Sequence, residues 1–403
     1  MISAKNDEAR MRNDEGSTNA QMTKHQLGRA RHHSDMVIPS SLDIRHSSLS
    51  RELIVTGVQL TELLSHIEPL ERVAVDTEAD SLHCYHEKLC LLQISVPEKD
   101  VLVDPLADVD LAPLRAALEK KEIVLHGADF DLRLLRRSLN FKAREIFDTV
   151  IAARLLGIRE FSLAALVERF FGVTLTKGSQ KANWAQRPLP SRMVEYAIND
   201  THYLLPLAEK LETQLRERDR LEWFRQSCQR ALEQTAVERV RDLDDAWRIS
   251  GAGTLRGPAA AVLRALWQWR EKEAEAVDRP PFHILQNREL LAAAESFANG
   301  GRPDFSHFSA RRRGAFREAA EHALKLPEDA WPLPRPRLGT RPTAEMKQRA
   351  EELRRRRDHG ATRLELDPAF VAPRAALEAL AANETNGAAL LVPWQREVLG
   401  IPA

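Results

Sequence analysis

Along the chain, apolar residues follow two different periods. Short β-branched or apolar runs at Val73–Asp76, Leu89–Val96, Val101–Val103 and Ile123–Leu125 predict strands. Apolar positions three and four apart predict helices at Gln59–Ile67, Leu111–Glu119, Asp129–Leu139, Asp148–Leu156 and Ser162–Phe171. Asp129 is placed to cap the third of these helices, Asp148 and Thr149 the fourth, and Pro190 opens a later one that carries Tyr196. The alternation predicts an α/β domain, a mixed sheet covered by helices, over residues 51–236. From about 240 the strand signal is lost. Helical spacing alone remains at 237–331 and, after the proline-rich stretch Pro332–Pro342, at 343–403. Residues 1–50 are polar and poor in aromatics, too poor to bury a core, and read as a disordered tail.

Composition narrows the class. With 403 residues, 43% of them hydrophobic, the chain can fill the cores of several domains. Cys84, Cys90 and Cys228 make no disulfide framework, which suggests a reducing compartment, and the cytoplasm is the expected location. Apolar runs such as Leu89-Cys-Leu-Leu are far too short to span a bilayer, and the charged N-terminus lacks the apolar stretch of a signal peptide, so no membrane partner is expected. Lys and Arg total 59 against 59 Asp and Glu, a neutral balance unusual for a nucleic-acid binder, although acidic metal ligands would offset basic residues elsewhere.

The candidate chemistry lies in three separate stretches. In Val73-Ala-Val-Asp-Thr-Glu78 the strand period puts Asp76 and Glu78 on one face, where two carboxylates repel unless a cation sits between them. His126-Gly-Ala-Asp-Phe-Asp131 brings Asp131 into the first turn of a helix, and Tyr196-Ala-Ile-Asn-Asp200 sets Tyr196 and Asp200 one helical turn apart. Oxygen ligands of this kind suit two divalent ions, Mg²⁺ or Mn²⁺. Each stretch alone also has a plain reading: a solvated turn, a helix-start acid favoured by the macrodipole, a half-buried aromatic.

Together the three stretches resemble the exonuclease motifs of the DEDD superfamily. The run Lys177-Gly-Ser-Gln180 … Asn183-Trp184 … Arg187-Pro188-Leu189 … Tyr196-Ala-Ile-Asn-Asp200-Thr-His-Tyr203-Leu204 is similar to the signature of the ribonuclease D family. Tyr196 four residues before Asp200, with Glu195 rather than His at the fifth, matches the tyrosine branch; Ala182 and Asn183 depart from the pattern and bear on loop contacts. The resemblance implies a ribonuclease H-like exonuclease domain with a mixed five-stranded sheet, the first strand central. It implies catalytic roles for Asp76, Glu78, Asp131, Tyr196 and Asp200, the four acids holding two divalent metal ions and Tyr196 orienting the attacking water. It implies a 3′–5′ exoribonuclease that releases nucleoside 5′-monophosphates from RNA, transfer RNA precursors especially, and works as a monomer. Lys177, Gln180, Lys181 and Trp184 are the expected substrate-binding residues in the loop from Gly172 to Arg192, with Arg187 a further cation there and Trp184 also open to a packing role. A 3′–5′ DNA exonuclease with the same metal chemistry, or a catalytically silent RNA-binding scaffold, remains open on the residues alone.

Beyond 237, the stretch Trp247-Arg-Ile-Ser-Gly251 … Leu263-Arg-Ala-Leu-Trp267 … Asp278-Arg-Pro280 … Ile284-Leu285 resembles an HRDC domain. The segment from 343 to 403 is similar to a second, more divergent copy. Trp267, at helical spacing from Leu263, is expected in a core, and Arg311-Arg312-Arg313 reads equally as a solvated run or a phosphate patch.

Overall fold

The computed structural model describes residues 52–176, 178, 180–237, 242, 244–334, 342–382 and 387–402. The expected polar tail at 1–50, Lys177 and residues 335–341 of the proline-rich stretch lie outside them. Strand β1 (Glu52–Ile54) leads into helix α1 (Gly57–Ile67), followed by β2 (Arg72–Ala79), β3 (Leu89–Val96) and β4 (Lys99–Val103). Then come α2 (Ala112–Leu118), β5 (Glu122–Leu125), α3 (Asp129–Leu139), β6 (Glu145–Asp148) and α4 (Thr149–Leu155). Helices α5 (Leu163–Phe171), α6 (Ser191–His202), α7 (Leu204–Glu217) and α8 (Leu221–Ala236) complete the α/β part.

The sheet has six strands in the order β1-β4-β3-β2-β5-β6, one more than the five expected. The two strands left out of the sequence reading, β1 and β6, are the edges of the sheet, each paired on one side only. The strand expected to be central is so: β2 runs antiparallel to β3 on one side and parallel to β5 on the other. Strand β3 is buried along its whole length, and its two faces serve different purposes. Leu92, Ile94 and Val96 join Val101 and Val103 of β4 in the main core beneath α3, α4, α7 and α8. Leu91 on the opposite face, with Leu102 of β4, packs against Met193, Ala197 and Ile198 of α6. Helix α6 therefore lies across β3 and β4 with one edge over β2, the placement on which the candidate site depends.

Four further helices, α9 (Gly257–Ala276), α10 (Pro281–Ile284), α11 (Asn287–Ala298) and α12 (Ala310–Leu324), enclose a core of their own. Trp267 lies in that core, as its spacing predicts, with Trp247, Trp269, Phe297, Phe308 and Phe316. Arg311 and Arg312 both reach Glu273, at 3.2 and 3.0 Å, and Arg313 donates to the Ser306 carbonyl at 2.9 Å, so the arginine run is tied to its own module rather than forming a loose patch. The last helices, α13 (Ala344–Leu364), α14 (Pro368–Val371), α15 (Arg374–Ala381) and α16 (Pro393–Leu399), repeat the order of a long helix, a four-residue helix opened by proline, and two more. They share the α/β core: Leu366, Val371 and Trp394 are buried in it, Trp394 stacks on Trp223 of α8 at 5.1 Å, and its indole N–H donates to Ser227 at 3.0 Å. Among the described residues no helix is long and apolar enough to cross a membrane.

Candidate active site

Register explains how the first two acids leave the core together. Pairing of β2 with β5 stops at Ala74, whereas pairing with β3 continues to Ala79, so Asp76, Thr77 and Glu78 are held from one side only. Asp76 lies opposite Gln93 and Glu78 opposite Leu91, which puts both carboxylates on the face covered by α6. Tyr196 and Asp200, one turn apart on α6, look back at that face. Carboxylate oxygens of Asp76, Glu78 and Asp200 lie within 4.8 Å of one another, the one such group of potential metal ligands among the described residues.

This crowding has an electrostatic signature. Burial, followed by the charges of Asp131, Asp200 and Glu78, raises Asp76 well above the usual carboxylate range. Glu78 is pushed up to about 9 by burial and by Asp200 and Asp131. Asp200 rises to about 7 through burial, with the Tyr196 hydroxyl pulling the other way, and Asp131 rises to about 6 through burial against the Thr77 hydrogen bond. Among the described residues, the causes of all four shifts include no Lys, Arg or His. Three hard oxygen donors crowded to this degree and raised in pKa are a donor set that a divalent cation fits, since it would relieve the repulsion and return the acids to their charged form.

Asp131 arrives differently. It is 5% exposed and accepts a 2.5 Å hydrogen bond from Thr77 Oγ1, a side chain on the opposite face of β2 from Asp76. Its charge reaches Asp76, Glu78 and Asp200, but it stands beside the close trio rather than within it. Asp129 does not cap α3 as expected: Ala128 holds the cap position and Asp129 pairs with Arg133 at 3.0 Å. The turn before α3 is fixed instead by Asp148, which accepts from the N–H of Gly127 at 3.1 Å and of Ala128 at 2.9 Å while capping α4 through Val150 at 2.8 Å. Gly127 takes a φ of 83° there, a backbone that favours glycine.

On α6, burial followed by the charges of Asp200, Glu78 and Asp76 raises the Tyr196 phenol far above its ordinary value, so it stays protonated. A side chain on Gly178 would meet the Tyr196 ring at 2.3 Å, so that contact requires glycine. Trp184, expected to bind substrate, does not reach solvent. It is 1% exposed and packs with Cys90, Leu91, Leu102 and Met193, its ring 6.1 Å from that of Tyr196. Its bulk and apolar neighbours make it the wall behind the tyrosine rather than a stacking platform. Arg187 also serves the frame: it forks onto both oxygens of Asp104 at 2.6 Å and donates to the carbonyls of Trp184 and Cys90 at 2.8 Å. Gln180 and Lys181 are exposed on the loop before α6, where an extended ligand has access to them.

Sequence reasoning passed over the residues that hold these groups in place. Thr77 and Asp148 carried no signal beyond a strand position and a helix cap. Ser95 Oγ and Thr201 Oγ1 are 2.7 Å apart, and His202 Nδ1 donates to Asp100 at 2.7 Å, anchoring the end of α6 to β3 and β4. Gln93, fully buried opposite Asp76, has no hydrogen-bond partner for either end of its carboxamide.

Comparison with known proteins follows the same division. The 3′–5′ exonuclease family matches residues 52–216 and the HRDC domain family residues 259–297. Ribonuclease D of Escherichia coli K12 is 31% identical over 295 residues, 71% of this chain and 78% of that protein. Ribonuclease D of Sphingobium indicum is 31% identical over 247 residues, 60% of this chain, and the match spans less than two thirds, 63%, of that relative's own length. Among solved structures, the catalytic core of RRP6 from Trypanosoma brucei superposes with a TM-score of 0.59 at 27% identity, covering 67% of this chain and 78% of that one. E. coli RNase D, described as an exoribonuclease involved in structured RNA processing, shares the fold with a TM-score of 0.66 at 24% identity over 87% of this chain and 98% of that one. With a match to the 3′–5′ exonuclease family followed by one to the HRDC family, and 31% identity over 78% of E. coli ribonuclease D, this chain belongs to the ribonuclease D family.

Proposed function

We propose that this protein is a metal-dependent 3′–5′ exoribonuclease that removes nucleoside 5′-monophosphates from RNA 3′ ends, those of transfer RNA precursors among them. The observation that carries the reading is the trio Asp76, Glu78 and Asp200, three acids from two distant stretches with their oxygens within 4.8 Å and no partner of opposite charge in the set. Asp76, Glu78 and Asp200 would hold one divalent ion, and Asp76, with Asp131 beside it, a second. Ions held there would supply Lewis acidity, acidifying a bound water and offsetting charge on the phosphate and the leaving 3′ oxygen. Tyr196, protonated through the neutral range, orients that water with its hydroxyl and leaves deprotonation to other groups. Glu78 contacts the terminal 3′ hydroxyl, which selects a chain end over an internal phosphate. Thr77 keeps Asp131 aimed at the site, and Gln180, Lys181 and Lys177 meet the backbone of the strand.

The helical parts supply contacts that the catalytic domain, with more acidic than basic residues over 51–236, lacks. The HRDC match falls on α9, α10 and α11, and the helix order from Ala344 supports taking 343–403 as a second, divergent copy. The test is direct: full-length protein with magnesium is given 3′-extended transfer RNA and single-stranded DNA of equal length, and monophosphate release is followed. Faster release from RNA is expected. Equal or faster DNA digestion would turn the assignment to a DNA exonuclease, and no release from either would leave an RNA-binding scaffold.

A further inference from the structure

The nine residues from Asp80 to Lys88 join the strand that carries Asp76 and Glu78 to its neighbour β3, and the neck of this loop is closed. Lys88 pairs with Asp80 at 2.8 Å, and the Lys88 backbone N–H donates to the other oxygen of the same buried carboxylate at 2.8 Å. Cys84 donates its thiol to the Asp80 and His86 carbonyls at 3.4 and 3.1 Å, folding the middle of the loop onto itself. A loop so closed moves as one piece.

Its remaining side chains reach outward to separate parts of the molecule. His83 Nε2 donates to the carbonyl of Lys181, in the loop that precedes α6. Glu87 pairs with Arg137 on α3, the helix of Asp131. The Tyr85 backbone N–H donates to Asp278 at 3.0 Å, its hydroxyl to Glu271 at 3.3 Å, and its ring packs against the core of the first helical module. His86 lies 3.4 Å from Glu275 on the same helix, α9. This closed loop thus continues from β2 and touches the helical module on one side and, on the other, α3 and the loop that leads into α6.

We infer that the Asp80–Lys88 loop couples the first helical module to the active site, with Tyr85 as the positioning residue that holds the module where it can bind RNA leading to the carboxylates. This rests on the exoribonuclease reading and adds to it a division of labour: RNA beyond the last few nucleotides binds through a module whose seat on the α/β domain is Tyr85. The coupling acts on substrate affinity and depends on RNA length.

The experiment compares a trinucleotide with a 20-nucleotide RNA in the full-length protein and in two variants. Tyr85→Ala removes the ring and the hydroxyl; Asp278→Gly removes the acceptor and suits the positive φ of 45° at that position. Each variant is expected to raise KM for the long RNA roughly tenfold, as loss of one or two hydrogen bonds and their packing would, with kcat and the trinucleotide KM unchanged. Asp278→Asn, which keeps an acceptor, should restore the long-RNA KM. Equal increases on both RNAs would mean that the loop serves only the site itself, and no change on either would mean that the contact positions nothing; both overturn the coupling. Amide hydrogen exchange without RNA separates this from the activity itself. Tyr85→Ala should speed exchange in both residues 80–88 and the end of α9, and unchanged exchange in α9 overturns the coupling even if the wild type proves inactive on RNA.

Discussion

Two sets of buried carboxylates in the same α/β domain behave in opposite ways. Asp80 and Asp104 are both nearly inaccessible, yet each is held below the usual range, against the upward push of burial, by Lys88 in one case and Arg187 in the other. Asp76, Glu78, Asp131 and Asp200 are pushed above it by burial, and in each a neighbouring acid adds to the rise. The fold therefore provides cations for acids whose work is structural, and among the described residues it brings together the acids of the site without one. Keeping such a group costs stability in the absence of a ligand, and a divalent ion recovers that cost on binding.

The largest effect that distinguishes the two sets is on turnover. If the proposed function holds, Asp76→Ala or Asp200→Asn should lower kcat by roughly a thousandfold or more while the protein stays folded and retains RNA, because each removes a proposed ligand and relieves repulsion. Monophosphate release beside a binding titration checks this, and a variant with normal turnover would leave the catalytic set. Arg187→Ala acts on the other set: it leaves Asp104 buried without its partner, and urea unfolding should show a loss of about 2–4 kcal/mol, scaled down from a fully buried pair because Arg187 is 26% exposed. Tyr196→Phe is intermediate, with kcat falling about 10- to 100-fold and KM little changed if the hydroxyl orients a reactant.

A smaller effect appears in pH dependence. Raised carboxylates bind more protons in the folded than in the unfolded chain from about pH 4 upward, so the metal-free protein should lose stability as pH climbs through about 6, 7 and 9, the positions of Asp131, Asp200 and Glu78. The lowered acids Asp80 and Asp104 work with the opposite sign: their contribution is present above the unfolded pKa near 4 and is lost only as pH falls below it. Melting curves of chelator-treated protein from pH 5 to 9 should therefore slope downward, and added magnesium should flatten the slope. A flat metal-free profile would mean that the four acids are not crowded in solution.

Much of the site was legible because its spacing is local. Asp76 and Glu78 share a face by the strand period, Tyr196 and Asp200 by the helix period, and Asp148 caps α4 as its position predicts. What sequence could not convey was the partner across the fold. Thr77 gives no sign that Asp131, 54 residues on, hangs from it. Trp184 in a cation-bearing loop looks the same whether it faces a nucleotide or Cys90, and only the packing of α6 on β3 decides. Asp129 satisfied the rule for a helix cap, yet Asp148 from the neighbouring strand end had already taken the turn before α3. Strands β1 and β6, the edges of the sheet, become strands only by pairing with β4 and β5.

The unpartnered acids can be tested by calorimetric titration of the full-length protein with magnesium or manganese at pH 7, in buffers of different ionisation enthalpy. Binding should release protons, since Glu78 starts above and Asp200 near that pH, and Asp76→Ala should abolish it. Metal binding without proton release, or undiminished in Asp76→Ala, would contradict a cation held by these carboxylates.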